Sequence, residues 1–119
     1  MMKVKKRTSF NDGVLYIVEQ VNENTSFNAQ VNATKKSDVQ RIKKLCYKTE
    51  TIRQQDFEFV SQMGSSLSLK VKTRLDKSVT TLQKVVIGNV LYDIIQLDPD
   101  MANKELYFYL EKERVLDEK

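Results

Sequence analysis

The clearest hydrophobic pattern in the chain lies in residues 67–75, where apolar and polar side chains alternate strictly. One face carries Leu67, Leu69, Val71, Thr73 and Leu75, and the other carries Ser68, Lys70, Lys72 and Arg74. A period of two residues is typical of a strand with one buried face. The pattern therefore predicts a half-buried strand, followed by a turn at residues 76–78 and a short strand at residues 79–82.

The last third of the chain predicts a β-meander. Residues 84–87 and 90–97 form two apolar segments on either side of Gly88 and Asn89, which tolerate the positive φ angles of a tight hairpin turn. Residues 98–100 contain Pro99 and predict a polar loop, because proline cannot donate to a strand ladder. Residues 104–114 predict the last strand, with Leu106, Phe108 and Leu110 on one face.

The first half of the chain is less regular. A strand is predicted at residues 3–9, a turn at residues 11–13 and a partner strand at residues 14–18, which are rich in β-branched and aromatic residues. Residues 22–26 are turn-prone, and residues 30–36 suggest an irregular or extended surface segment. Residues 38–49 fit either a helix or a strand beginning near Arg41, and we favour the strand.

The best helix candidate covers residues 51–62. Thr51 is a suitable cap, and Gly64 with the two serines that follow it predicts the end of the helix. Ile52, Phe57, Val60 and Met63 are expected on its apolar side. Strands at this regular spacing, with one helix, predict a mainly β domain, a small barrel or sandwich.

Composition supports one soluble domain over residues 1–119. Hydrophobic residues make up 40% of the chain and charged residues 30%. The chain has no histidine and one cysteine, Cys46, so it lacks the commonest general base and cannot form an internal disulfide. We expect Cys46 to be a small buried residue, and we expect no catalytic residue and no cofactor.

Charge weakly permits contact with nucleic acid. The net charge is +4, but acidic residues are interspersed. A loose basic cluster has only Tyr47 among it, so a solvated segment is favoured over a single-strand binding platform; the cluster comprises Lys35, Lys36, Arg41, Lys43, Lys44 and Lys48. No apolar stretch is long enough to span a membrane, and no apolar signal core follows the basic N-terminus.

Three aspartates in and after the predicted strand at residues 90–97 raise the question of a metal site: Asp93, Asp98 and Asp100. Their spacing lacks the further oxygen ligands of a calcium loop. Turn chemistry explains them better, so no metal site is expected.

Five segments follow one another along the chain: a basic strand with an Asp-Gly turn (3–15), a helical segment before Gly64 (51–64), the Lys-Val-Lys-Thr-Arg strand (70–74), the Val-Ile-Gly-x-x-Leu-Tyr-Asp-Ile hairpin (86–94) and the final Leu-Tyr-Phe-Tyr-Leu strand (106–110). In this order and spacing they resemble the head–tail connector (head-closure) proteins of tailed bacteriophages, particularly those of Gram-positive siphophages and their prophages. The resemblance covers most of the chain, apart from residues 19–38.

The resemblance implies a small antiparallel β-barrel with one short α-helix and no catalytic residues. It implies a homo-oligomeric ring in the virion, below the portal and adaptor proteins, which closes the DNA exit channel and receives the tail-terminator or tail-completion protein. A loop within residues 22–44 is the candidate for gating or partner contact. The alternatives are the neighbouring tail-completion protein, a small OB-like nucleic-acid-binding barrel, or a small enzyme, for which no suitable carboxylate pair is evident.

Candidate interface residues follow from the exposed strand faces. Lys70, Lys72 and Arg74 are expected to contact packaged DNA or acidic patches of a neighbouring ring, or else to form a solvated strand face that discourages strand pairing. Tyr107 and Tyr109 are either exposed at an interface, packed across strands, or buried by closure of the sheet.

Overall fold

The computed structural model describes residues 10–20 and 39–116. In these ranges the chain is mainly β, with a single helix. The elements are β1 (Gly13–Gln20), β2 (Val39–Thr49), α1 (Gln54–Gln62), β3 (Leu69–Arg74), β4 (Lys84–Ile87), β5 (Val90–Asp100) and β6 (Glu105–Val115). The predicted strand at 3–9 and the segments at 22–26 and 30–36 lie outside the described residues.

The six strands form one antiparallel sheet in the order β1-β2-β3-β6-β5-β4, and β4 pairs back with β1. The sheet therefore closes on itself. The predicted hairpin between β4 and β5 is confirmed, with Ile87 opposite Val90 and Gly88 at a φ of 64°. The predicted strands at 14–18, 38–49 and 67–75 are confirmed as β1, β2 and β3, with β3 beginning at Leu69.

The main core lies inside the closed sheet, where alternate residues of the strands meet. The strict alternation of β6 is confirmed on this side, since Leu106, Phe108 and Leu110 are all buried. The buried members of this cluster are Leu15, Ile17, Val71, Val79, Val85, Ile94, Leu106, Phe108 and Leu110.

Two sequence predictions about strand boundaries are wrong. Residues 98–100 belong to β5, where Pro99 lies opposite Leu106, and the turn comes later, at residues 101–104. On its other edge, β5 pairs with β4 only through residues 90–93. Pro99 lies beyond these residues, so its lack of an N–H group breaks no hydrogen bond to β4. Residues 79–82 form no strand; the Gln83 N–H donates to the Thr80 carbonyl instead and closes a turn.

The expectation that Cys46 is buried is also wrong. Its neighbours Leu45 and Tyr47 pack against the core, so Cys46 points to the outside of β2 and is exposed. The single helix described, α1, is not long and apolar enough to cross a membrane.

Candidate interface site on the outer face of β3 and β6

Two cross-strand pairs place four of the five predicted interface residues together. Lys70 lies opposite Tyr109, and Lys72 lies opposite Tyr107, where β3 pairs with β6. Because their neighbours Val71 and Phe108 point into the core, these four side chains share the outer face of the sheet. Sequence alternation alone predicted this common face for each strand.

The helix α1 covers part of this outer face. Val60 is fully buried and packs with Leu67 and Tyr109. The Phe59 ring meets the Tyr109 ring edge-on, with 6.4 Å between their centroids. Aromatic rings prefer this arrangement to direct face-to-face stacking. The helix therefore provides a wall beside the lysine and tyrosine side chains.

The helix begins three residues later than predicted, and Thr51 is not its cap. Arg53 is the capping residue, and the Asp56 carboxylate in the first turn accepts a hydrogen bond from the Arg53 N–H at 2.9 Å. A carboxylate near a helix N-terminus also interacts favourably with the helix dipole. Gly64, with a φ of 76°, follows the end of the helix as predicted.

Lys70 and Lys72 do not form a solvated strand face, which corrects that alternative. Each is only 9% exposed. The Lys70 Nζ lies 3.1 Å from the Asp56 carboxylate. The Lys72 Nζ lies 3.0 Å from the Glu50 carboxylate and 3.4 Å from that of Glu105. Burying an ammonium group without such partners would be costly, so these carboxylates allow both lysines to be buried.

The tyrosine rings complete the surroundings of both ammonium groups. The Lys70 Nζ lies 5.2 Å from the centroid of the Tyr109 ring and 5.4 Å from that of Tyr107. The Lys72 Nζ lies 5.7 Å from the Tyr107 centroid. These distances are within the range of cation–π attraction. Tyr109 is buried and Tyr107 half-buried, so the alternative in which they pack across strands describes them best.

Arg74, the fifth predicted residue, remains apart from this group. It is exposed, lies opposite Glu105 at the end of β3, and its guanidinium is 5.8 Å from the centroid of the Phe10 ring. The predicted site therefore divides into a covered part and an open end.

A polar cleft of about 380 Å³ opens between the helix and the sheet at this place. Its walls combine acidic, basic and phenolic groups from five parts of the fold: the segment after β2, the start of α1, β3, β5 and β6. The lining residues are Glu50, Thr51, Arg53, Asp56, Lys70, Asp98, Tyr107 and Tyr109.

The surroundings in and beside the cleft shift the pKa values of Asp56, Lys72 and Tyr109. Burial acts to raise the pKa of Asp56, but hydrogen bonds from Arg53 and Lys70 outweigh it and leave the pKa below its ordinary value. Burial acts to lower the pKa of Lys72, but Glu50 outweighs it and raises the pKa. Burial and the nearby Asp56 raise the pKa of Tyr109.

Two of the three aspartates considered as metal ligands have other partners. Asp93 accepts a hydrogen bond from Lys84 at 2.7 Å, and Asp100 accepts one from the Asn103 side chain at 2.9 Å. Asp98 lines the cleft. In the described ranges, no group of three or more acidic or cysteine side chains is arranged to hold a metal ion.

An exposed apolar surface on α1 adjoins the cleft. Phe57, Phe59 and Met63 are 45%, 44% and 47% exposed. The sequence pattern placed Phe57 and Met63 on the packed side of the helix, but only Val60 is fully buried there. Phe57 and Phe59 are two residues apart and therefore point to nearly opposite sides of the helix, so one buried stripe cannot cover both; that spacing was the signal available in the sequence.

No protein-family model matches this chain, and no curated protein matches it in sequence.

Proposed function

We propose that this chain is a structural, non-enzymatic protein of the head–tail junction of a tailed phage or prophage, in the head-closure or adaptor position. We also propose that its closed antiparallel sheet is the small β-barrel with one short helix that the sequence resemblance implies. The order of elements supports this, since the helix, the Lys-Val-Lys-Thr-Arg strand, the hairpin and the last strand follow one another as in the resembled family.

The observation that best supports a binding role is the exposed apolar side of α1 beside the polar cleft. Apolar patches bordered by polar groups are typical of protein–protein contacts, and exposed phenylalanines are favourable anchors. Phe57, Phe59 and Met63 would provide the apolar contact, while Arg53 and Asp98 at the cleft would fix its orientation.

In this proposal, copies of the chain form a ring below the portal and adaptor proteins, and the ring receives the tail-terminator or tail-completion protein. Ring symmetry multiplies each weak contact, so a small domain is sufficient for a stable junction. The protein would lie in the virion after synthesis in the host cytoplasm.

The OB-like alternative has less support from the candidate residues. A nucleic-acid barrel would use Lys70 and Lys72 to contact phosphates, but both ammonium groups are already paired with carboxylates. The tail-completion alternative predicts the same kind of protein surface. It differs in the stage at which virion assembly would stop without the protein.

Electron microscopy of an induced lysate tests the proposal. The gene is disrupted in the genome that encodes it, and the same lysate is prepared with the gene restored. Separate heads and complete tails that join only on restoration are expected, and empty heads would favour the closure position. Normal joined virions in the disrupted lysate, or no virions in the restored one, would contradict the proposal.

A further inference from the structure

The basic residues of the described chain fall into two groups. Several lysines lie against carboxylates: Lys43 with Asp76, Lys70 with Asp56, Lys72 with Glu50 and Glu105, and Lys84 with Asp93 and Glu113. By contrast, three exposed cations of β2, Arg41, Lys44 and Lys48, form no ion pair with any carboxylate in residues 10–20 and 39–116. Other basic residues of these ranges are also outside the ion pairs, but β2 carries three such residues, more than any other strand; the others are Arg53, Arg74, Lys77, Lys104, Lys112 and Arg114.

A β-bulge places these three cations on one face. Ile17 lies opposite Lys43, but the next residue, Val18, lies opposite Arg41, so Ile42 is left without a partner. A bulge of this kind shifts the alternation by one residue. Lys44 and Lys48 point outward because Leu45 and Tyr47 point inward, and the bulge brings Arg41 to the same side. Strict alternation in the sequence would have placed Arg41 on the opposite side from Lys44.

The position of Arg41 is held by stacking. Its guanidinium lies 4.1 Å from the centroid of the Tyr16 ring on β1. Tyr16 is the residue opposite Lys44, so this contact brings Arg41 close to Lys44. Such a contact orients the cation and leaves its hydrogen-bond donors available. From Arg41 to Lys48 the strand covers roughly 20 Å, which equals about six base-pair steps along a duplex.

We propose that the outer face of β2 binds the phosphate backbone of duplex DNA through Arg41, Lys44 and Lys48. A duplex fits better than a single strand because Tyr16, the aromatic residue beside these cations, already stacks with Arg41 and gives no platform for a base. The side chains of Arg41, Lys44 and Lys48 are all exposed, so they are accessible to phosphate groups. This site moves the expected DNA contact from β3 to β2 and goes beyond the joining role.

The test is fluorescence anisotropy of a labelled duplex with the purified protein over a series of salt concentrations. The variants are Arg41→Gln, Lys44→Gln and Lys48→Gln, and the matched control is Lys112→Gln, which removes an exposed charge from β6. Each β2 substitution should reduce the slope of log K against log salt by about 0.9. The control should leave the slope unchanged, and circular dichroism checks that each variant is folded.

Three results would overturn the proposal: no binding of the duplex by the wild-type protein at low salt, an equal loss in Lys112→Gln, or tighter binding of a single strand than of the duplex. The binding test is independent of the lysate experiment. Normal virions after gene disruption would remove the connector role and leave the DNA site standing, whereas unaltered slopes would remove only the DNA site.

Discussion

The neighbouring strands β2 and β3 both present cations on their outer faces, yet they use them differently. Lys70 and Lys72 of β3 are buried and paired with carboxylates, Lys70 with Asp56 of α1 and Lys72 with Glu50 and Glu105. Lys44 and Lys48 of β2 are exposed. The two sequences look equally basic, so the difference comes from what lies above each strand. The alternation of charged residues predicts which side chains share a face of a strand. Whether these charges are available to a partner depends on the residues that pack over that face.

The carboxylates that neutralise β3 come from three different places. Asp56 belongs to the first turn of α1, Glu50 follows β2, and Glu105 begins β6. Each pair therefore connects elements that are distant in sequence. Such a network is often no more stabilising than an apolar core would be, but removing one partner is costly because the other charge stays buried.

The largest effect is expected from breaking the network at its centre. Lys72→Met leaves the carboxylates of Glu50 and the buried Glu105 without their cation. We expect a loss of about 3 kcal/mol in the free energy of unfolding, measured by urea denaturation. The matched β2 variant, Lys44→Met, should change it by less than about 0.5 kcal/mol. Equal effects in the two variants would remove the distinction between the strands.

Lys70→Met should have a smaller effect than Lys72→Met. Asp56 loses its ammonium partner but keeps the hydrogen bond from the Arg53 N–H. We expect a loss of about 1–2 kcal/mol in urea denaturation. A second substitution, Asp56→Asn, in the Lys70→Met background should cost little more, because the unpaired charge is then gone. A full additive loss would argue against coupling between the two side chains.

Low pH should break the ion pair of Lys43, the β2 lysine that has a carboxylate partner in the described ranges. The Lys43 ammonium, with help from Ser78, lowers the pKa of Asp76 from 3.8 to about 2. Because the unfolded chain binds this proton at higher pH, the stabilisation is present above about pH 4 and is lost as the pH falls towards about 2. Lys43→Met should reduce this loss by about 1 kcal/mol, allowing for solvent screening, in urea titrations at several pH values. An unchanged pH profile in the variant would contradict the pairing.

The smallest effect should be a gain in stability. Lys48 lies directly opposite Lys72 where β2 pairs with β3, and like charges in this position repel each other. Lys48→Thr removes the repulsion and adds a residue with good strand propensity. We expect an increase of about 0.3 kcal/mol in thermal or urea unfolding. A clear loss would show that Lys48 has a structural partner.

Much of the architecture could be predicted from periodicity. The strands β3 and β6 and the Gly88-Asn89 turn follow from local signals, and the structure confirms them. The prediction that β3 is only half-buried is wrong, since Lys70 and Lys72 are buried as well as Val71 and Thr73. The end of β5 was missed because Pro99 normally indicates a loop, while pairing with β6 continues past it. Cys46 was misplaced because a short apolar run does not show which of its residues face the core.

The candidate site was predictable only in part. The sequence identified Lys70, Lys72, Tyr107 and Tyr109, and the pairing of β3 with β6 brings them together. Their burial was not predictable, since it depends on α1 packing through Val60 and on three carboxylates from distant segments. Likewise, the bulge that aligns Arg41 with Lys44 depends on pairing between β1 and β2, which no local pattern in β2 reveals.

Residue-specific labelling of lysines tests the contrast between the two strands most directly. The folded protein is treated briefly with an amine-reactive reagent, and mass spectrometry measures the rate at each lysine. Lys44 and Lys48 should react much faster than Lys70 and Lys72, and the four rates should converge in denaturant. Equal rates in the folded protein would show that the β3 lysines are as accessible as those of β2, and would contradict both the covered cleft and the separate cationic face.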